Sequence, residues 1–86
     1  MEAITLIESV APGRVRDLAH YSIRLALAHL TAGSAEQAVE VAGRAYMLAG
    51  QIASARVSER FSELVAALDA SPSRPAREFA MSVRAG

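Results

Sequence analysis

Two histidines, nine serines and a short run of alternating charges are the side chains of this 86-residue chain that could do chemistry. His20 and His29 lie nine residues apart, about two and a half helical turns. On one helix they point in different directions and form no His-x3-His metal pair. No cysteine is present to complete a zinc site, act as a thiol nucleophile or close a disulfide. None of the serines sits in a Gly-x-Ser-x-Gly elbow or beside a His-acid pair. Asp17 and His20 are one turn apart, which suits a surface hydrogen bond as well as anything catalytic. The five glycines are single and scattered, so no Gly-rich loop cradles a phosphate. The expectation is a non-enzymatic chain with no metal and no cofactor.

Charge narrows the partners. Nine arginines balance nine acids, lysine is absent and the formal net charge is zero, so no overall field draws in nucleic acid or an anionic membrane. Arg56, Glu59, Arg60 and Glu63 form a charged stripe that could serve as a partner site, but the favoured reading is a solvated helix face laced by i,i+3 and i,i+4 pairs. As a DNA-reading helix it fails, because Glu59 and Glu63 repel phosphates among the arginines. The opening MEAITLIESV carries Glu2 and Glu8 and no basic residue, unlike a signal peptide. No apolar run approaches bilayer thickness. These features predict a cytoplasmic chain with no membrane partner and no direct nucleic-acid contact.

What must position any functional residue is a set of helices. The chain is 52% hydrophobic, 21% charged and 5% aromatic, a globular balance, and Ala, Leu, Arg and Glu favour helix. Turn signals at Pro12-Gly13, Thr31 to Ser34, Gly50 and Ser71-Pro72-Ser73 divide it into five helical segments, about 2–10, 14–30, 34–49, 52–69 and 75–84. Ser34 to Gln37 reads as a capping box, and Gly50 as a C-terminal glycine cap. Leu18, Leu25 and Leu30 populate one flank of the second segment, and Ile23 and Leu27 another. Ala38, Ala42, Ala45 and Ala49 form a small-residue stripe that lets a neighbouring helix approach closely. Val57, Phe61, Leu64, Val65 and Leu68 are the expected core of the fourth segment, and Phe79, Ala80 and Val83 that of the fifth. Short connections make antiparallel helix hairpins in a single all-α domain, residues 1–86.

The middle of the chain resembles a tetratricopeptide repeat, a 34-residue helix-turn-helix unit. Its W-x2-L-G-x2-Y signature falls on Ser22-x2-Leu25-Ala26-x2-His29, with Gly33 in the turn and Ala38 and Ala45 at small-residue positions. Residues 19–52 match 53–86 at five of 34 positions, including Ala42/Ala76 and Met47/Met81. Along nearly the whole chain, Pro12-Gly13-Arg14, Arg16-Asp17-Leu18-Ala19, Arg24 to Ala28, Gly33 to Ala38, Ser54 to Val57 and Pro75 to Phe79 resemble the C-terminal end of certain actinobacterial regulators. Those join a helix-turn-helix DNA-binding domain to a tetratricopeptide array.

The resemblance implies a tetratricopeptide-like superhelix of about five helices and a protein- or peptide-interaction or sensing role in a bacterial transcriptional regulator. It places His29 at an internal tyrosine position. It also places His20, Ile23, Arg24, Leu27 and Leu30, with Ser54, Val57, Phe61 and Leu64 of the next unit, along a concave groove. A peptide helix or an extended segment could lie there. The alternative is a self-associating structural module in which a second copy fills the groove and no external ligand exists. The Lys/Asn carboxylate clamp of some family members is not reproduced, since both residue types are absent.

Overall fold

The computed structural model describes residues 12–85, and among these the chain is all-helical with no strand. Four helices follow one another: α1 (Pro12–Thr31), α2 (Ala35–Gly50), α3 (Ala55–Asp69) and α4 (Arg74–Ala85). The segment expected over Glu2–Val10 lies outside the described residues. The described part of α1 opens at Pro12, ahead of the start near residue 14 that the turn signal suggested. Proline suits a first helical position, where the backbone N–H has no intrahelical acceptor to lose.

The turns explain where each helix stops. At the end of α1, the Ser34 N–H donates to the His29 carbonyl at 2.8 Å and the Gly33 N–H to the Leu30 carbonyl at 3.1 Å. Gly33 has φ +86°. This is a Schellman motif with glycine in the left-handed position, where a Cβ would collide with the backbone. It also corrects the expected capping box. Ser34 does precede α2, but its side chain makes no capping hydrogen bond. Its own N–H, which Gln37 would have to reach, is already taken by His29. The expected glycine cap at Gly50 is likewise absent: α2 ends through Gln51 in right-handed helical conformation, with the Gln51 N–H donating to the Leu48 carbonyl at 3.1 Å.

α3 starts later than the apolar pattern suggested, because Ser54 caps it. The Ser54 hydroxyl accepts from the Val57 N–H at 3.3 Å, which satisfies one of the orphan donors of the first turn. Between α3 and α4, the Ser71 hydroxyl accepts from the Ser73 N–H at 3.0 Å, and Arg77 donates to the Ser71 carbonyl at 3.0 Å. Arg84 in the last turn of α4 pairs with Asp69 of α3 at 2.9 Å.

Packing is led by α1 against α2, whose backbones run close together over the longest stretch. α3 then packs on both of them, and α4 on α2 and α3, while α1 and α4 do not touch. The result is one helix pair laid on another. Ala19 and Ala26 of α1 and Ala38, Ala42 and Ala45 of α2 are fully buried. Small side chains allow this proximity, since every added methylene would push the axes apart. The buried line of α1 is therefore Val15, Ala19, Ser22, Ile23 and Ala26. Of the two flanks expected to be apolar, Leu18, Leu25 and Leu30 of one are only half-buried, while Ile23 of the other is in the core. In α3 the buried residues are Val57, Phe61, Leu64, Val65 and Leu68, the expected set. In α4 they are Ala76 and Ala80, with Phe79 and Val83 packed partly against the core.

Burial also sets the register between the two pairs. Ala19/Val57, Ile23/Phe61, Ala26/Leu64, Ala38/Ala76 and Ala42/Ala80 are buried at both members, and each pair is 38 residues apart. At the 34-residue spacing of the tetratricopeptide motif, buried Ala19, Ala26 and Ala38 would correspond to exposed Ala53, Arg60 and Pro72.

Two stability outcomes follow from this packing. Gly33→Ala should destabilise by about 1–2 kcal/mol through its left-handed backbone. Gly50→Ala is helical and meets no atom within 4 Å, so it should stabilise by about 0.4–1 kcal/mol; urea melts of both variants check the opposite signs. Ala45→Leu, placed where no surface is exposed, should cost about 1–3 kcal/mol by overpacking. Ala35→Leu at the half-buried start of α2 should shift the melting temperature far less, and equal shifts would mean that α2 does not approach its neighbours through its alanines.

Candidate functional site

A groove of about 550 Å³ lies between α1 and α3. Asp17, His20, Arg24 and Leu27 of α1 form one wall, Arg56, Arg60 and Glu63 of α3 form the other, and Ile23 lies at the base. The spacing of the α1 residues, by three and four, keeps them on one helix face. The α3 residues follow the same rule on the flank turned toward α1. Ile23 and Leu27 make the floor apolar, while Arg24, Arg56, Arg60 and Glu63 are exposed along the rim and His20 is half-buried.

Of the residues expected in a groove, His20, Ile23, Arg24 and Leu27 are brought together here. The other four are not on its open surface. Val57, Phe61 and Leu64 are 1%, 8% and 0% exposed and belong to the core, and Leu30 is half-buried against that core. The reason is which face α3 presents: it turns Arg56, Arg60 and Glu63 toward this groove and its apolar face into the core. The spacing does not alter this, since the residues 38 on from Ile23 and Leu27, Phe61 and Val65, are buried as well. Phe61 is further tied down by the Tyr46 ring, with centroids 5.6 Å apart and planes inclined by 31°, within the range of favourable aromatic pairs. Ser54, expected beside them, is spent on capping α3.

Arg56, Arg60, Glu63 and Asp17 were missed as groove residues. The signal for the first three was the charge stripe itself, which is solvated as expected but also faces a neighbouring helix. Arg60 and Glu63 are paired within α3 at 3.4 Å, both well exposed, so this contact contributes little to stability. Among the described residues Arg24 and Arg56 have no ion-pair partner. His29 is half-buried near the end of α1 and does not line the groove.

Among the described residues no three of His, Asp and Glu gather as metal ligands, and no helix is long and apolar enough to cross a membrane. The groove offers two cationic heads above an apolar strip. Chemically, a guanidinium pairs with a carboxylate through two parallel hydrogen bonds, and an apolar strip favours burial of apolar side chains. No family model, curated protein or solved structure matches the chain.

The division between rim and core is measurable. Leu64→Ala and Phe61→Ala should cost about 2–5 kcal/mol each, whereas Arg60→Ala and Glu63→Gln should change stability by less than about 1 kcal/mol. Denaturant unfolding of the four variants checks this, and a Phe61→Ala protein as stable as the parent would return Phe61 to an open surface.

Proposed function

We propose that this chain is a non-enzymatic protein- or peptide-interaction module of tetratricopeptide-like build, serving as the sensing part of a bacterial transcriptional regulator in the cytoplasm. The observation that carries the reading is the α1–α3 groove, whose wall is made by the same α1 face, His20, Arg24 and Leu27, that the resemblance assigns to ligand contact. The stacking of one helix pair on another supports the tetratricopeptide-like build, although the 38-residue spacing departs from that of the motif. DNA contact would then fall to another part of the regulator, since Asp17 and Glu63 stand among the groove's arginines.

A second reading, self-association without an external ligand, is favoured by one feature. Met47 and Met81 are 70% and 64% exposed on α2 and α4, two helices that pack together, and large exposed apolar side chains of this kind suit a contact with a second copy.

Arg24→Glu and Leu27→Ser separate the two. In the groove reading both variants keep their helicity and their mass in sedimentation but abolish the regulator's response to its signal. If the chain self-associates through Met47 and Met81, the parent sediments as a dimer, and Met47→Ser with Met81→Ser loses mass while Arg24→Glu and Leu27→Ser keep it. A monomeric parent, with Arg24→Glu and Leu27→Ser folded and signalling in full, would contradict both.

A further inference from the structure

We propose that the groove between α1 and α3 takes an acidic amphipathic segment of a partner protein, its carboxylates held by Arg24 and Arg56 and its apolar side chains laid on Leu27, above the buried Ile23. This rests on the reading of the groove as a ligand site and adds what the ligand must be.

Charge complementarity is the first argument. The chain has no net charge, yet three arginines line this groove against two carboxylates. One of those, Glu63, is already engaged by Arg60. The other, Asp17, is about two turns before Arg24 on the same helix. A planar guanidinium matches a carboxylate through two parallel hydrogen bonds, so Arg24 and Arg56 are the two heads offered to a ligand.

The second argument comes from the fold's own internal comparison. Thirty-eight residues on from Ile23, Arg24 and Leu27 stand Phe61, Ser62 and Val65, and these line a smaller groove of about 260 Å³ against Val83 and Arg84 of α4. The apolar pair is kept in both places, but the arginine is not. Arg24 and Ser62 are both exposed, so neither is part of the packed core. The cation of the second groove, Arg84, is occupied by Asp69 at 2.9 Å. Cationic heads without a partner among the described residues are thus found at the first groove and not at its counterpart.

The floor selects against other polyanions. Single-stranded nucleic acid needs aromatic faces for its bases, and Ile23 and Leu27 supply none. The two carboxylates in the walls would also repel a continuous phosphate backbone, whereas a peptide can place its acids opposite the arginines alone.

The test is fluorescence anisotropy with a labelled synthetic peptide bearing Glu and Leu along one helical face, beside the same peptide with Gln for Glu. The acidic peptide should bind at least about tenfold more tightly at 0.1 M salt, a preference that fades near 1 M as screening shortens. Arg24→Ser and Arg56→Ser should each weaken it by about tenfold, with Arg44→Ser as the unaffected control and circular dichroism unchanged throughout. Equal binding of both peptides that is lost in Leu27→Ser would overturn the acidic preference while leaving the groove in use. Failure of the acidic peptide to bind would overturn the proposal outright, with the groove reading still decided by the signalling of Leu27→Ser. A drop in mass of the peptide-free protein on Arg24→Ser would overturn it in favour of a second copy as occupant.

Discussion

The close approach of α1 and α2 is the constraint on which everything else in this fold depends. Five alanines with no exposed surface, Ala19 and Ala26 on one helix and Ala38, Ala42 and Ala45 on the other, let two backbones run side by side over most of their length. Each alanine contributes little apolar area of its own. What it contributes is proximity, which brings many dispersion contacts within range at once at no cost in side-chain entropy. The Schellman turn at Gly33 reverses the chain tightly enough to hold the two helices in this register.

The larger side chains complete the structure from the second helix pair. Val57, Phe61, Leu64 and Leu68 deliver the bulk that the alanine-lined pair lacks, and α3 packs against both α1 and α2. Division of labour follows between the two faces of α3. Its apolar face is fully used in holding the pairs together, and its charged flank, Arg56, Arg60 and Glu63, is left beside the exposed face of α1. The groove is therefore a consequence of the packing: an apolar strip between two helices, edged by whatever polar residues those helices carry. That the edge carries more arginine than acid, in a chain without net charge, gives the groove its character.

Helix positions were largely legible in the sequence because their causes are local. Turn residues at 31–34, 50 and 71–73, and the apolar spacing of residues 57–68, place the helices to within a few residues. Local reasoning failed where one residue serves two neighbours. Ser34 looks like a capping-box serine, but its N–H closes the preceding helix. The buried line of α1 was harder to read, since alanine and serine carry no hydrophobic signal to distinguish a core position from a surface one. Ala26 falls on the small-residue position of the repeat signature, but nothing local marks Ala19 as buried. The groove was legible on α1 and misplaced on α3, because which face a helix turns to each neighbour is a tertiary quantity. α3 spends its apolar face on the core and lends the groove its charged flank.

Native-state hydrogen exchange tests the primacy of the alanine-lined pair most directly. Amides within Ala19–Ala26 and Ala38–Ala45 should exchange only through global unfolding, while those of α4, which does not touch α1, open at lower free energy. Protection in α4 equal to or above that of α1 and α2 would contradict the account, and would place the foundation of the fold in the second helix pair.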